Sequence, residues 1–246
     1  RLREDDFVAE ERREISRLAR SAPLDSVGFV RWFESLTSIG PGQGDRLFPW
    51  LAECATLDQM RWFLTQEVAG EAGFDDLLAM VQLKFPSRAK LEIGRNLWDE
   101  LGHGRAIGMH GPMLQRVVED LRIQAGAEPV WESQALANLM VALCANRRFA
   151  FQAIGALGAI ELTSPTRVGF VACGLERLGF GVETRKYFSL HATIDLVHGR
   201  HWIDEVIQPL VSDNARCAYA IAEGALMRLN AGRRCFARYR RQFTLE

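Results

Sequence analysis

Apolar residues recur along most of this chain at three- and four-residue spacing, the period of one helix face. From Asp6 to Arg20 the stripe is narrow, with Phe7, Val8, Ile15 and Leu18 set among charges. From Asp25 to Thr37 it is Val27, Phe29, Val30, Phe33 and Leu36. Leu57 to Lys84 carries Met60, Phe63, Leu64, Val68, Phe74, Leu77, Leu78 and Val81, and Pro86 then resets the chain. A second long helical pattern runs from Ser87 toward Leu121, with a turn between Gln124 and Pro129. Trp131 to Leu157 is apolar nearly all round, which predicts a buried helix. Ser164-Pro165 reads as a helix start, because Pro suits the first turn. Gly179-Phe180-Gly181 is a break before a stretch that continues to Val211, and Asp213 to Asn230 predicts the last core helix. Alternating strand patterns and Asn-Gly or Asp-Gly hairpin turns are missing. The expectation is one all-α domain over residues 1–246 of about seven or eight helices. It begins with a helix in residues 1–22 and ends in a basic tail over residues 228–246.

Composition narrows the function classes. The chain has 246 residues, 48% hydrophobic and 25% charged, enough for a sizeable core. Lys+Arg is 30 against 31 Asp+Glu, so no electrostatic case exists for nucleic acid or an anionic membrane. No apolar run approaches the roughly 18 residues of a membrane span. Arg1 to Glu14 mixes both charges and lacks the apolar centre of a signal peptide. The five cysteines are scattered and never paired as C-x-x-C, which argues against disulfides and thiolate metal sites. A cytoplasmic protein is expected. The arginines of the tail (Arg228, Arg233, Arg234, Arg238, Arg240 and Arg241) read as a solvated end rather than a binding patch.

The chemistry concentrates in two stretches that together hold all five histidines. In Tyr187 to Trp202, His191, Asp195 and His198 stand at i, i+4 and i+7, within roughly 60° of one another on a helix. Two imidazoles and a carboxylate on one face suit iron, manganese or zinc. A solvated polar face, or buried histidines satisfied by hydrogen bonds, is the competing explanation. The second stretch, Asn96 to His110, offers Asp99, Glu100, His103 and His110. Glu100 and His103 have the i, i+3 spacing of helix-bundle metal sites. Glu100 and His110 lie roughly 80° apart on one ideal helix, so both can bind only if that helix is distorted. Gly102, Gly104, Gly108 and Gly111 make distortion cheap, although close helix packing would also explain them. Glu161 ends the apolar run from Ala153, where a carboxylate is costly to bury unless paired or metal-bound. Glu67 and Glu71 pose the same question more weakly, and a half-exposed helix face would answer it. With His201 these residues form the candidate pool. Carboxylates and imidazoles without cysteine, on several helices, favour a dinuclear iron or manganese site.

Asp99-Glu100-x-Gly-x-Gly, His110, Glu161 and His191-x3-Asp195-x2-His198 together resemble the haem-oxygenase-like diiron oxidases, also described as iron-containing redox enzymes. The resemblance covers roughly residues 60 to 211. It implies a seven-helix haem-oxygenase-like bundle with two iron ions cycling between Fe(II) and Fe(III), manganese as an alternative, O2 as cosubstrate and no haem. Carried over by position, it makes Glu100, His110, Glu161, His191, Asp195 and His198 the ligands, with Glu161 as the bridge. Glu67 is the position for an extra carboxylate. His103 competes with His110 for one iron, and His110 is favoured. The implied activity is an oxidase or oxygenase of a small carboxylate in a biosynthetic pathway. A free amino acid undergoing N-oxygenation, desaturation or C–C cleavage is the first choice, and fatty-acid decarboxylation the alternative. The implied partners are that substrate, an electron donor or the substrate's own electrons, and, as an open option, a second copy in a homodimer. A carboxylate substrate calls for a cationic clamp. Arg185, Lys186, Arg147 and Arg148 lie nearest in sequence, and Tyr187 is placed as a pocket group. A cysteine-dependent hydrolase of the same shape is disfavoured, because no cysteine lies in the histidine-rich stretches. A haem oxygenase needs an early histidine, and the first is His103. A helical interaction module without catalysis predicts His191, Asp195 and His198 on the surface.

Overall fold

Every regular element among the described residues of this computed structural model (2–71, 73–124 and 128–245) is helical. In chain order they are α1 (Leu2–Ala19), α2 (Ser26–Ile39), α3 (Leu47–Glu53), α4 (Leu57–Glu71), α5 (Phe74–Val81), α6 (Ser87–Glu100), α7 (His110–Asp120), α8 (Trp131–Ala145), α9 (Ala150–Arg177), α10 (Val182–His201), α11 (Gln208–Asp213) and α12 (Cys217–Phe243). Residues 125–127 of the expected turn and the side chain of Glu71 lie outside the described residues. Among those described, no helix is long and apolar enough to cross a membrane.

The all-α class holds, but the seven-helix count does not, because local chemistry cuts long periodic runs. Gly73, at φ 68, separates α4 from α5. The extended backbone of Asn146 ends α8, and its side chain accepts a hydrogen bond from the Arg148 N–H at 3.2 Å. The expected helix from Trp131 to Leu157 is therefore two. The run from Ser87 is cut between Leu101 and Met109. Elsewhere helices join where breaks were expected. Ser164-Pro165 sits inside the 28-residue α9, with the remaining ladder of a long buried helix carrying the proline. The N–H that proline lacks would have met the Glu161 carbonyl four residues back. The basic tail is not a solvated end either. Ala231, Cys235, Phe236 and Tyr239 continue the buried stripe of α12, and Arg234 pairs with Glu11 at 2.6 Å and Glu14 at 2.8 Å on α1. Between α10 and α11 the helix widens to a π turn over Trp202–Ile207, where the buried Trp202 indole donates to the Ile154 carbonyl at 3.0 Å.

α9 is the axis of the bundle, with α10 and α12 on either side. Backbone contact sets both crossings. A Cβ at Gly155 would lie 1.8 Å from the Ile221 carbonyl oxygen, and one at Gly224 1.8 Å from that of Gln152. α9 and α12 therefore touch backbone to backbone. On the other side a Cβ at Gly199 would lie 3.2 Å from the Glu161 carbonyl oxygen. That approach brings the preceding residue, His198, against Glu161.

Gly155→Ala is expected to lower stability by roughly 3 kcal/mol or more in chemical denaturation, because neither backbone can yield. Gly111→Ala, with no atom within 4 Å of the added methyl, is expected to change it by less than about 1 kcal/mol, in the stabilising direction.

Candidate metal centre

α6 ends at Glu100 and α7 begins at His110. This resolves the angular conflict of a single helix through both. The nine residues between fold back through two 3₁₀ turns, with Gly102, His103 and Gly104 in left-handed backbone at φ 60, 54 and 76. A Cβ on Gly102 would meet the Gly108 carbonyl carbon at 2.2 Å, so only glycine closes this loop. Closure puts His110 Nδ1 2.7 Å from Glu100 Oε2. From α10, His191 Nε2 comes within 3.9 Å of Glu100 Oε1, and the two imidazole rings stand 4.6 Å apart.

A second group forms one turn along. Glu161 from α9 and Asp195 and His198 from α10 converge, with His198 Nδ1 3.5 Å from Glu161 Oε2. Within each group of three the potential ligand atoms all lie within 4.8 Å of one another. None of the six residues is more than 8% exposed. That burial is not what the interaction-module reading requires.

Flanking groups fix how each side chain is presented. His191 Nδ1 lies 2.7 Å from the Tyr187 carbonyl, which can only accept, so Nδ1 carries the proton and Nε2 faces the cage. His198 is reversed: Nε2 is 3.0 Å from Asp99 Oδ2, and Nδ1 faces Glu161. Asn96 donates to Glu161 Oε1 at 2.6 Å, and the Ser164 hydroxyl donates to Asp195. The Nδ1 atoms of His110 and His198 are buried without a hydrogen-bond partner, close as they are to carboxylate oxygens. Imidazole nitrogens aimed at carboxylates and left unbonded fit a bound cation, which takes a lone pair from each.

The charges show what metal-free protein must do instead. Burial alone would raise the Glu100 pKa, but the imidazoles of His110 and His191 outweigh it and hold the carboxyl down at about 2. Burial would lower His191 and His198, but Glu100 and Asp195 around the first, and Glu161 and Asp99 around the second, raise both to about 9. Asp195 is raised to about 7 by burial and by the neighbouring Glu161 charge. Without a cation, protons on the histidines hold the acids together.

The remaining candidates are placed as follows. Glu67 and Tyr187 line the same cavity as Glu100, Glu161, His191 and Asp195, but neither belongs to a group of three. His103 projects from the loop to the surface, its Nε2 2.6 Å from the other oxygen of Asp99. His201 is exposed, 3.4 Å from Glu92. Arg185 pairs with Glu176 at 2.6 Å, and neither it nor Lys186 lines the cavity. Arg147 and Arg148 edge a hollow beside Asp5. Asn96, Ser164, Arg167 and Arg228 escaped the sequence reading. Asn96 is one turn before Glu100, and that spacing was its signal. Arg167 is the only charge besides Glu161 between Phe149 and Gly174, which was the stronger signal.

Fold and site together define an all-α, haem-oxygenase-like bundle that gathers carboxylates and imidazoles in its interior. The chain belongs to the iron-containing redox enzyme family, which it matches over residues 61–233. Two crystal structures of a CADD-like protein of unknown function from Nostoc punctiforme PCC 73102 have the same fold. One aligns at 14% identity over 98% of this chain and 99% of that one, with a TM-score of 0.59. The other aligns at 17% identity over 86% and 93%, with a TM-score of 0.61. No curated protein matches the chain.

In metal-free protein His191 and His198 contribute stability that is complete below their unfolded pKa, near 6.5, and is lost as pH rises through about 9. The raised Asp195 has the same sign between 3.8 and about 7. Glu100 contributes above 4.5 and loses that only as pH falls toward about 2. Metal-free protein is thus expected to lose thermal stability between pH 6.5 and 9. Manganese(II), which replaces those protons, is expected to bind more tightly and stabilise more as pH rises. A calorimetric titration in two buffers of different ionisation heat checks it, with about two protons released per chain at neutral pH.

Proposed function

We propose that the protein is a non-haem diiron oxidoreductase that uses O2 to oxidise a small carboxylate, a free amino acid or a close derivative. The observation that supports it is the pair of buried carboxylate–imidazole groups, free of cysteine, facing one cavity in a chain of this family. Bound iron would supply the electrons and the O2 chemistry. Glu100, His110 and His191 would hold one ion, and Glu161, Asp195 and His198 the other. The Tyr187 carbonyl and Asp99 keep the outer imidazole nitrogens protonated, so the inner ones stay free to bind. Phe48, Phe74, Val168, Val171 and Phe188 wall the cavity and exclude water. Electrons beyond those of the substrate come from an external donor.

The polar lining of the cavity includes Glu67 and two arginines. A zwitterion suits that lining better than an alkyl chain does. Amino-acid oxidation is therefore preferred to fatty-acid decarboxylation.

Protein purified after growth with added iron is expected to contain about two irons per chain and to show no haem Soret band. His191→Ala and His198→Ala are each expected to lose about half the iron or more, with helix content by circular dichroism retained. Iron-free wild-type protein, with no absorbance change when ferrous-loaded protein meets O2, would sink the reading.

A further inference from the structure

Among the described residues, Arg167 has no ion-pair partner. It sits on α9 six residues after Glu161 and lines the cavity that the metal groups face. Its Nε donates to the Thr163 carbonyl at 3.2 Å and its Nη2 reaches the Thr163 hydroxyl at 3.4 Å, both one turn back on its own helix. Its guanidinium lies over the rings of Phe48 at 5.9 Å and Phe236 at 5.4 Å. A guanidinium has five N–H donors. Among the described residues, no carboxylate stands within ion-pair distance of any of them.

The surroundings make that costly. A second arginine, Arg228 of α12, lines the same cavity. Burial and then the Arg228 cation push Arg167 down to about 10, while the charges of Glu67 and Asp195 compensate in part. A desolvated cation beside another cation needs an anion. Two other arginines that reach inward do find one: Arg234 has Glu11 and Glu14, and Arg12 has Glu223. Arg167 also occupies a boundary. With Phe48 it lines both the inner cavity and a wider outer hollow of ≈ 520 Å³ walled by the Gly42–Asp45 loop. Arg167 is thus shared by the two hollows, whereas Asp195 lines the inner cavity but not this outer one.

We infer that Arg167 anchors the carboxylate of the substrate at the mouth of the inner cavity and turns the rest of the molecule toward the metal groups. This rests on the reading that the substrate is a small carboxylate oxidised at that centre. Arg167 is thereby a specificity-determining residue. The arginine and lysine adjacent to Tyr187, which sequence proximity favours, stand outside the cavity. The planar fork of a guanidinium pairs both carboxylate oxygens, so lysine cannot fully replace it.

The test uses the full chain loaded with manganese(II). Binding of L-leucine, L-lysine and decanoate is measured by calorimetry and thermal shift, each against its primary amide. At least one carboxylate is expected to bind wild type at least tenfold more tightly than its amide. Arg167→Met is expected to abolish that preference and Arg167→Lys to weaken it about tenfold, both with wild-type manganese content. Arg167→Met without ligand is also expected to melt at or above the wild-type temperature, since a half-buried charge with no ion pair among the described residues has gone. A purely structural arginine, bonded to Thr163 and stacked on Phe48, would instead melt lower. Unchanged carboxylate preference in Arg167→Met overturns the inference, as does a wild type that prefers none of the three carboxylates. Loss of manganese binding in wild type would count against the metal reading alone, because the carboxylate preference is scored equally well on metal-free protein. If Arg167→Met does not fold, Arg167→Lys decides by the same comparison.

Discussion

The structure depends on the cost of burying charge. Three carboxylates and three imidazoles occupy an interior from which water is excluded, and no chain tolerates that without compensation. Two kinds of compensation are visible. Protons on His191 and His198 neutralise the acids they touch, which is why both imidazoles are held as acids of pKa about 9. Hydrogen bonds from Asn96 and Ser164 satisfy the carboxylate oxygens left over. Neither gives the inner nitrogens of His110 and His198 a well-aligned hydrogen bond, although both stand close to carboxylate oxygens, and that arrangement is the strongest structural argument that the site suits cations.

Helix packing serves that site directly. Gly199 lets α10 close on α9 at the level of Glu161, so a carboxylate from one helix and an imidazole from the next share one space. The Gly155–Gly224 contact holds the other side of α9 against α12, which carries Arg228 into the cavity. The left-handed Gly102–Gly104 loop does for Glu100 and His110 what a continuous helix cannot. Stability and site geometry therefore rest on the same glycines. One cavity is lined by Glu100, Glu161, His191 and Asp195 together with Arg167, Arg228 and aromatic and aliphatic walls.

The outer contacts of the site extend to the surface. Asp99 bridges His198, which is buried, to His103, which is exposed. One carboxylate thus orients an inward imidazole while accepting from an outward one. This gives His103 a place beside the two groups of three rather than in them, and it accounts for the second histidine of its stretch without a third ligand group.

Helical period and composition, properties of local chain chemistry, determined the all-α class and the types of candidate ligand. His191, Asp195 and His198 are neighbours on any helix, so their grouping was readable from spacing alone. Glu161 was readable because a lone acid in an apolar run needs a reason. What tertiary structure decided is everything set by contact between distant segments. The break between Glu100 and His110 depends on Gly102 packing against Gly108, which no periodicity records. Pro165 resembles a helix start locally, yet tertiary burial carries α9 through it. Arg228 reads as tail charge until α12 folds it inward. Arg167 had only its isolation among uncharged residues to mark it, and its lack of an ion pair among the described residues is a fact of three-dimensional distance. Spacing fixes what one helix presents, whereas packing fixes what that face meets.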